Sequence, residues 1–311
     1  MIGVRKWTRS ELQVVTCDLC GSEYPRHKAI FQRRDDLQVV QCETCGLAFV
    51  NPRPQSESIE ELYRREYFEA GGESGIGYAN YEANAMYARL ERRQLLSDRL
   101  RVVAKHVDLG GSTLLEVGCA TGDFVQLASR AGSRTVGIDI APDAIARAQK
   151  RYPRLEFRRA TVSQIAASGT AFDCVCAFEV IEHVPSPRAF LRDLRQLCRR
   201  GGRLLVSTPN FAYGSAVGVD RWLGLQRSFE HLYFLEPATL RALAALEGFT
   251  VEEWYGAGGG IVTVENPMKT RTRKTLASLG LLPLARLVRT GLASTHYQPR
   301  RVAHSMLAVL Q

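Results

Sequence analysis

The chain's 311 residues are 45% hydrophobic and 23% charged, the balance of a folded globular protein rather than a disordered one. No uninterrupted apolar stretch approaches about 18 residues and residues 1–7 lead into no apolar h-region; a membrane-spanning helix and a secretory leader are disfavoured, and the cytoplasm is the expected compartment. The formal net charge of +9 is concentrated in residues 265–311, where eight Lys and Arg face the single acid Glu265, so the near-neutral remainder does not require a basic nucleic-acid groove.

In chain order, the first chemistry-bearing pattern is a pair of knuckles, Cys17-x2-Cys20-Gly21 and Cys42-x2-Cys45-Gly46, separated by twenty-one residues. Four thiolates in two tight turns suit one tetrahedral zinc, and a full set of four leaves no open coordination position for catalysis. Disulfides or a redox pair are the alternative, disfavoured without a secretion signal. A zinc ribbon is therefore expected over residues 14–50, with a strand in Leu37–Gln41. Asn51-Pro52-Arg53-Pro54 punctuates its end. Residues 58–69 and 80–107 read as helices of a lid or linker spanning 51–111. Tyr67, Tyr78 and Tyr81 within it are candidates to close over a ligand, although packing between helices is the commoner use of such side chains.

From residue 112 strands and helices alternate. Strands are expected at Leu114–Val117, Thr135–Ile140, Leu155–Arg159, Phe172–Phe178 and Arg203–Ser207, and helices from about Asp123 and over Asp143–Arg151. A further helix starts at Ser186-Pro187 and is expected to end at Gly201-Gly202. Helix 237–247, strand Thr250–Tyr255 and a last strand Ser305–Leu310 complete a doubly wound sheet with helices on both faces. The core is placed at 112–261, a basic insertion or tail at 262–304 and the returning strand at 305–311. Cys119, Cys174, Cys176 and Cys198 read as small buried hydrophobes, Cys198 continuing the face of Phe190, Leu191, Leu194 and Leu197.

The turn after the first core strand, Glu116-Val117-Gly118-Cys119-Ala120-Thr121-Gly122, lacks the third glycine of a dinucleotide fingerprint and the lysine of a phosphate loop. Its glycines let the backbone approach a ligand, Glu116 can face a cationic group, and Asp139 can accept from ribose hydroxyls. The segment resembles motif I of class I S-adenosylmethionine (SAM) methyltransferases, with Ala120 in place of the commonest middle glycine. The resemblance continues through Asp139, Phe172–Val184 and Gly201–Asn210. It implies a seven-stranded Rossmann-like fold, SAM as cofactor, and a cofactor site of Glu116, Gly118, Cys119, Ala120, Gly122, Asp139, Ile140, Thr161, Val162, Phe178 and Glu179. Thr161 stands where such enzymes often carry the Asp that binds adenine.

A sulfonium donor needs no metal to transfer its methyl group, only an aligned nucleophile and, for a protonated one, a base. His183 and His231 are the candidate bases, with a loop-holding role for either as the alternative. Glu179, Glu182, His183 and His231 also resemble the metal set of small-RNA 3′-terminal 2′-O-methyltransferases. No Asn/Asp-Pro-Pro-Tyr/Phe and no Pro-Cys follows the fourth strand, which disfavours exocyclic base nitrogen and pyrimidine C5 as acceptors. The overall resemblance is to bacterial small-molecule C- or O-methyltransferases with an N-terminal zinc ribbon, which act on sugars, quinone-like rings or secondary-metabolite intermediates. RNA methylation at ribose or a ring nitrogen is the alternative, and a zinc adaptor with a relic core a third. The basic, leucine-rich 265–304 stretch suits an acidic membrane face, a carrier protein or a phosphorylated substrate as well as RNA.

Overall fold

A computed structural model describes residues 7–59, 86–222, 225, 230–257 and 305–311. The lid helix expected from residue 58, Tyr67, Tyr78, Tyr81 and the basic 262–304 segment lie outside the described residues, apart from a short helical stretch at 56–59. Among the described residues no helix is long and apolar enough to cross a membrane.

The N-terminal module is built from β1 (His27–Gln32), β2 (Gln38–Cys42) and β3 (Ala48–Val50), paired antiparallel. Helix α1 (Met86–His106) leads to the core, where β4 (Thr113–Val117), α2 (Asp123–Arg130), β5 (Arg134–Asp139), α3 (Pro142–Arg151), β6 (Glu156–Arg159), α4 (Val162–Ala167) and β7 (Phe172–Phe178) follow. Then come α5 (Pro187–Leu197), β8 (Cys198–Pro209), α6 (Phe211–Val217), β9 (Tyr233–Phe234), α7 (Pro237–Leu246), β10 (Val251–Ala257) and β11 (Ser305–Leu310). Among the described residues the main sheet has seven strands in the order β10-β11-β8-β7-β4-β5-β6. It is parallel from β8 to β6, and β11 inserts antiparallel between β8 and β10. Central strands covered on both faces require continuous apolar runs, and Leu114, Leu115, Val117 and residues 174–178 are accordingly buried. Chain order reverses between β4 and β7, which opens a crevice beyond their carboxyl ends.

Several elements differ from expectation. Helix α5 begins at its Ser186 cap, whose Oγ accepts from Ala189 N at 3.0 Å, but it stops at Leu197. Cys198 is already extended (φ −85°, ψ 126°) and pairs with Phe172, so it opens the strand instead of continuing the helical face. Gly201, at φ +80°, lies where the β8 register shifts between Cys198 and Arg203, and this bulge is the structural use of the two glycines. The short helices α4 and α6 were not anticipated; Thr161 and Asn210 cap them. Strand β9 joins neither the core sheet nor a hairpin; it pairs with β3, extending the N-terminal sheet to β9-β3-β2-β1.

Candidate functional site

The turn after β4 is held from below. Gly118 N and Cys119 N both donate to Ile138 O, at 2.9 and 3.0 Å, while Asp139 accepts Ala120 N on Oδ2 and Ala141 N on Oδ1, each at 2.9 Å. Burial pushes the Asp139 carboxyl up, and these backbone donors oppose the shift. A Cβ on Gly118 (φ +71°) would stand 2.5 Å from Val180 Cγ2, and one on Gly122 (φ +79°) 2.5 Å from Phe157 Cζ. Gly122→Ala therefore combines left-handed backbone strain with overpacking and is expected to cost about 2–5 kcal/mol, read in a urea melt. A cost near zero would show that the turn relaxes freely. Ala120, the departure from the commonest motif, carries that strain itself at φ +46°.

Glu116, at the end of β4, is buried, and its Oε2 has no hydrogen-bond partner among the described residues. Burial pushes its pKa up to about 8, with the nearby Arg99 guanidinium pulling the other way. Arg99, from α1, donates to Glu179 Oε1 and Ser207 Oγ, each at 3.2 Å, and its Cζ lies 4.6 Å from the centre of the Phe178 ring. Ser207 Oγ donates to the same Glu179 oxygen at 2.7 Å, and Glu179 sits in the left-handed region at φ +57°. One buried cation thus stands among the acidic groups closing β4 and β7. Sequence reasoning missed Arg99, although its spacing from Leu96, Leu100 and Val103 places it on the apolar face of α1, an unusual position for an arginine without a partner such as Glu179.

The remaining expected cofactor residues are more dispersed. Ile140 is 43% exposed, and Val162, the first residue of α4, is buried. Thr161 Oγ1 accepts Gln164 N at 3.2 Å as the helix cap, which commits a lone pair expected to receive an adenine amino group. The Cys119 thiol is buried and pushed far up, consistent with packing rather than nucleophilic chemistry.

Beyond β7, the loop turns so that Glu182 O accepts Leu232 N at 2.8 Å and Tyr233 N at 3.1 Å, bringing His183 and His231 together. Their ring centres are 4.7 Å apart at 79°. His183 Nε2 and His231 Nε2 lie 3.9 and 4.0 Å from Glu182 Oε1. Burial pushes the His183 pKa down to about 4. His231 is held well below the ordinary value by burial first, then by His183 and Arg33. Burial and then the neighbouring Glu179 raise Glu182 well above the usual carboxylate range. At neutral pH both imidazoles are thus neutral. Ligand atoms of Glu182, His183 and His231 all fall within 4.8 Å of one another and could hold a divalent cation.

The second cluster is Cys17, Cys20, Cys42 and Cys45, whose sulfurs also lie within 4.8 Å. None is disulfide bonded, and Cys17–Cys45 and Cys20–Cys42 Sγ separations are 3.4 and 3.6 Å. A zinc tetrahedron with bonds of about 2.3 Å has edges of about 3.8 Å, so the set fits with little adjustment. Each knuckle closes identically, Gly21 N donating to Cys17 O and Gly46 N to Cys42 O at 2.8 Å, with both glycines at positive φ. Although burial opposes it, hydrogen bonds from Ser22 and from backbone amides bring the Cys42 thiol down to about 6.

The doubly wound seven-stranded sheet with its antiparallel β11, and the acidic, glycine-bearing turn at its switch point, are the arrangement of a class I SAM-dependent methyltransferase. The chain belongs to the methyltransferase-domain family, whose profile matches residues 87–253. It is 32% identical over 176 residues to a ubiquinone biosynthesis O-methyltransferase of Xanthomonas oryzae pv. oryzae, covering 50% of this chain and 73% of that protein. A ubiquinone biosynthesis O-methyltransferase of Xylella fastidiosa is 31% identical over 169 residues, covering 51% and 69%. A crystal structure of a Pyrococcus horikoshii OT3 protein shares the fold, with a TM-score of 0.50 at 16% identity over 74% of this chain and 93% of that one.

Proposed function

We propose that this enzyme methylates a hydroxyl of a small aromatic molecule of the catechol or quinol type, in the cytoplasm. The observation that carries the proposal is the pair of neutral imidazoles, His183 and His231, meeting just past β7 at the carboxyl edge of the sheet. The ubiquinone-pathway names of its relatives support a ring hydroxyl as acceptor.

In this reading Glu116 faces the cationic methionine end of SAM, Arg99 its carboxylate, and Asp139 the ribose. The acceptor oxygen attacks the methyl carbon in line. The O–C bond forms, the S–C bond breaks, S-adenosylhomocysteine leaves, and the hydroxyl proton passes to an imidazole and then to water. The core from residue 112, the returning strand at 305–311 and Arg99 of α1 form the catalytic unit in this reading. The acceptor is free or attached to a carrier.

Incubating the protein with methyl-labelled SAM and catechol, hydroquinone or unmodified transfer RNA tests the reading. Label is expected on the oxygen of a phenolic acceptor, and label on RNA alone would replace the proposal with the nucleic-acid alternative.

The 14–50 module holds one structural zinc. Because structural zinc sites typically contribute about 10–16 kcal/mol of binding free energy, stripping the metal is expected to unfold the ribbon and lower the melting temperature. A melting curve unmoved by complete zinc removal, followed by elemental analysis, would contradict this.

The convergence of Glu182, His183 and His231 within 4.8 Å favours one second reading, a divalent ion gripping adjacent acceptor oxygens. Loss of turnover on dialysis against a weak chelator, with the ribbon zinc retained and activity restored by magnesium or manganese, would establish it.

A further inference from the structure

The N-terminal module reaches directly into the loops that carry both histidines. Asp18, between the first two cysteines, accepts Ser186 Oγ on Oδ1 and Arg188 N on Oδ2, each at 2.7 Å, just beyond His183. Arg53 donates to Tyr233 Oη and to Pro185 O, both at 2.7 Å. Val50 N donates to Leu232 O at 2.8 Å, and β9 continues the pairing with β3.

One contact touches a histidine's own peptide. Arg33, in the turn between β1 and β2, is fully buried and forked onto Asp35, Nε to Oδ1 at 3.1 Å and Nη2 to Oδ2 at 2.6 Å. Its Nη1 donates to His231 O at 2.8 Å. Well-packed apolar residues often serve stability as well as a buried ion pair does, so the fully desolvated pair at this location is weak evidence for a role in stability. Its geometry has another consequence: a rigid planar fork, locked by Asp35, fixes the carbonyl of the residue whose ring faces His183.

We propose that Arg33 is a positioning residue for His231, so that the metal-ribbon module, rather than the methyltransferase core alone, sets the alignment of the two imidazoles. The inference rests on the reading of His231 as acting at the acceptor. It also accounts for the pairing of β9 with β3, which holds the segment that follows His231 between the N-terminal sheet and the Glu182 carbonyl.

The test compares the full-length wild type with Arg33→Lys and with the double variant Arg33→Met/Asp35→Leu, which replaces the pair by apolar groups and leaves no orphaned Asp35 carboxylate, while Arg33→Lys keeps a cation near the Glu230 carboxyl. Zinc content, SAM affinity by calorimetry, histidine imidazole NMR signals and turnover on catechol are read for each. In the zinc-loaded double variant, SAM affinity is expected to hold while catechol turnover falls by about 100-fold, as for a misplaced catalytic group. The His231 imidazole signals move or broaden, and Arg33→Lys, which keeps one donor, recovers part of both. A folded, zinc-loaded double variant with unchanged His231 signals would overturn the proposal. If the wild type methylates no phenolic acceptor, the acceptor reading has failed, and the His231 signals alone decide the role of Arg33.

Discussion

Turnover on a catechol acceptor falls by about 10²–10⁴ when His231 or His183 is replaced by alanine, while SAM affinity is unchanged, because general-base assistance is lost and the crevice is not. Glu182 lies within 4.0 Å of both rings, so the two losses are not additive, and the double variant is expected to be little worse than the more damaging single one. The acid limb of the rate profile is unusual. A base works only when neutral, and the His183 pKa is pushed down to about 4, so activity requiring its neutral form persists below the ordinary histidine range and is lost as pH falls through about 4. An acid limb at the ordinary histidine value of 6.5 would mean that the acting imidazole is solvated. Equal turnover in both alanine variants and the wild type would remove the pair from the chemistry.

The second large effect concerns stability. Glu116 has its folded-state pKa raised by burial to about 8, against 4.5 for an ordinary carboxyl. The folded chain therefore holds this proton more tightly than the unfolded chain. The resulting stability is fully present below pH 4.5 and is lost as pH rises through about 8, by an amount on the order of several kcal/mol. Other buried groups also titrate, and comparison with Glu116→Gln isolates this one. In the absence of SAM, the variant is expected to match the wild type near pH 4 and to exceed it by several kcal/mol near pH 9. The same change removes the charge that meets the cationic end of SAM, so affinity is expected to fall by about 10–100-fold, equivalent to about 1.4–2.7 kcal/mol. Urea melts at both pH values, with and without saturating SAM, check the two halves together. A stability difference that does not vary with pH would show that Glu116 is already ionised in the empty crevice.

What could be read from the sequence was mainly local. Glycine spacing in residues 118–122, the acid ending β5, the paired cysteine knuckles and the Ser186-Pro187 helix start each depend on a few neighbouring residues. Helix α4 was missed because its signal is a single capping box, Thr161 with Gln164, over six residues. Cys198 is buried with Phe190, Leu191, Leu194 and Leu197 as its apolar character implies, but that character suits a helix face and a strand start equally, and its pairing with Phe172 decides for the strand. Non-local contacts were not legible. Arg99 acquires meaning only when α1 packs over Ser207 and Glu179. His183 and His231 were singled out separately, but their adjacency follows from Glu182 O receiving two amides from the β9 segment. The pairing of that segment with β3 joins residues far apart in the chain, and no periodicity announces it.

Transfer of a labelled methyl group from SAM into fractionated cell extract bears most directly on the central claim, that SAM bound over β4 methylates a small hydroxylated molecule beside the two histidines. The expected result is a product in the small-molecule fraction, heavier by one labelled methyl on oxygen, formed by the wild type and strongly reduced in His231→Ala. Label confined to RNA, or no transfer by a protein that binds SAM, would contradict the account.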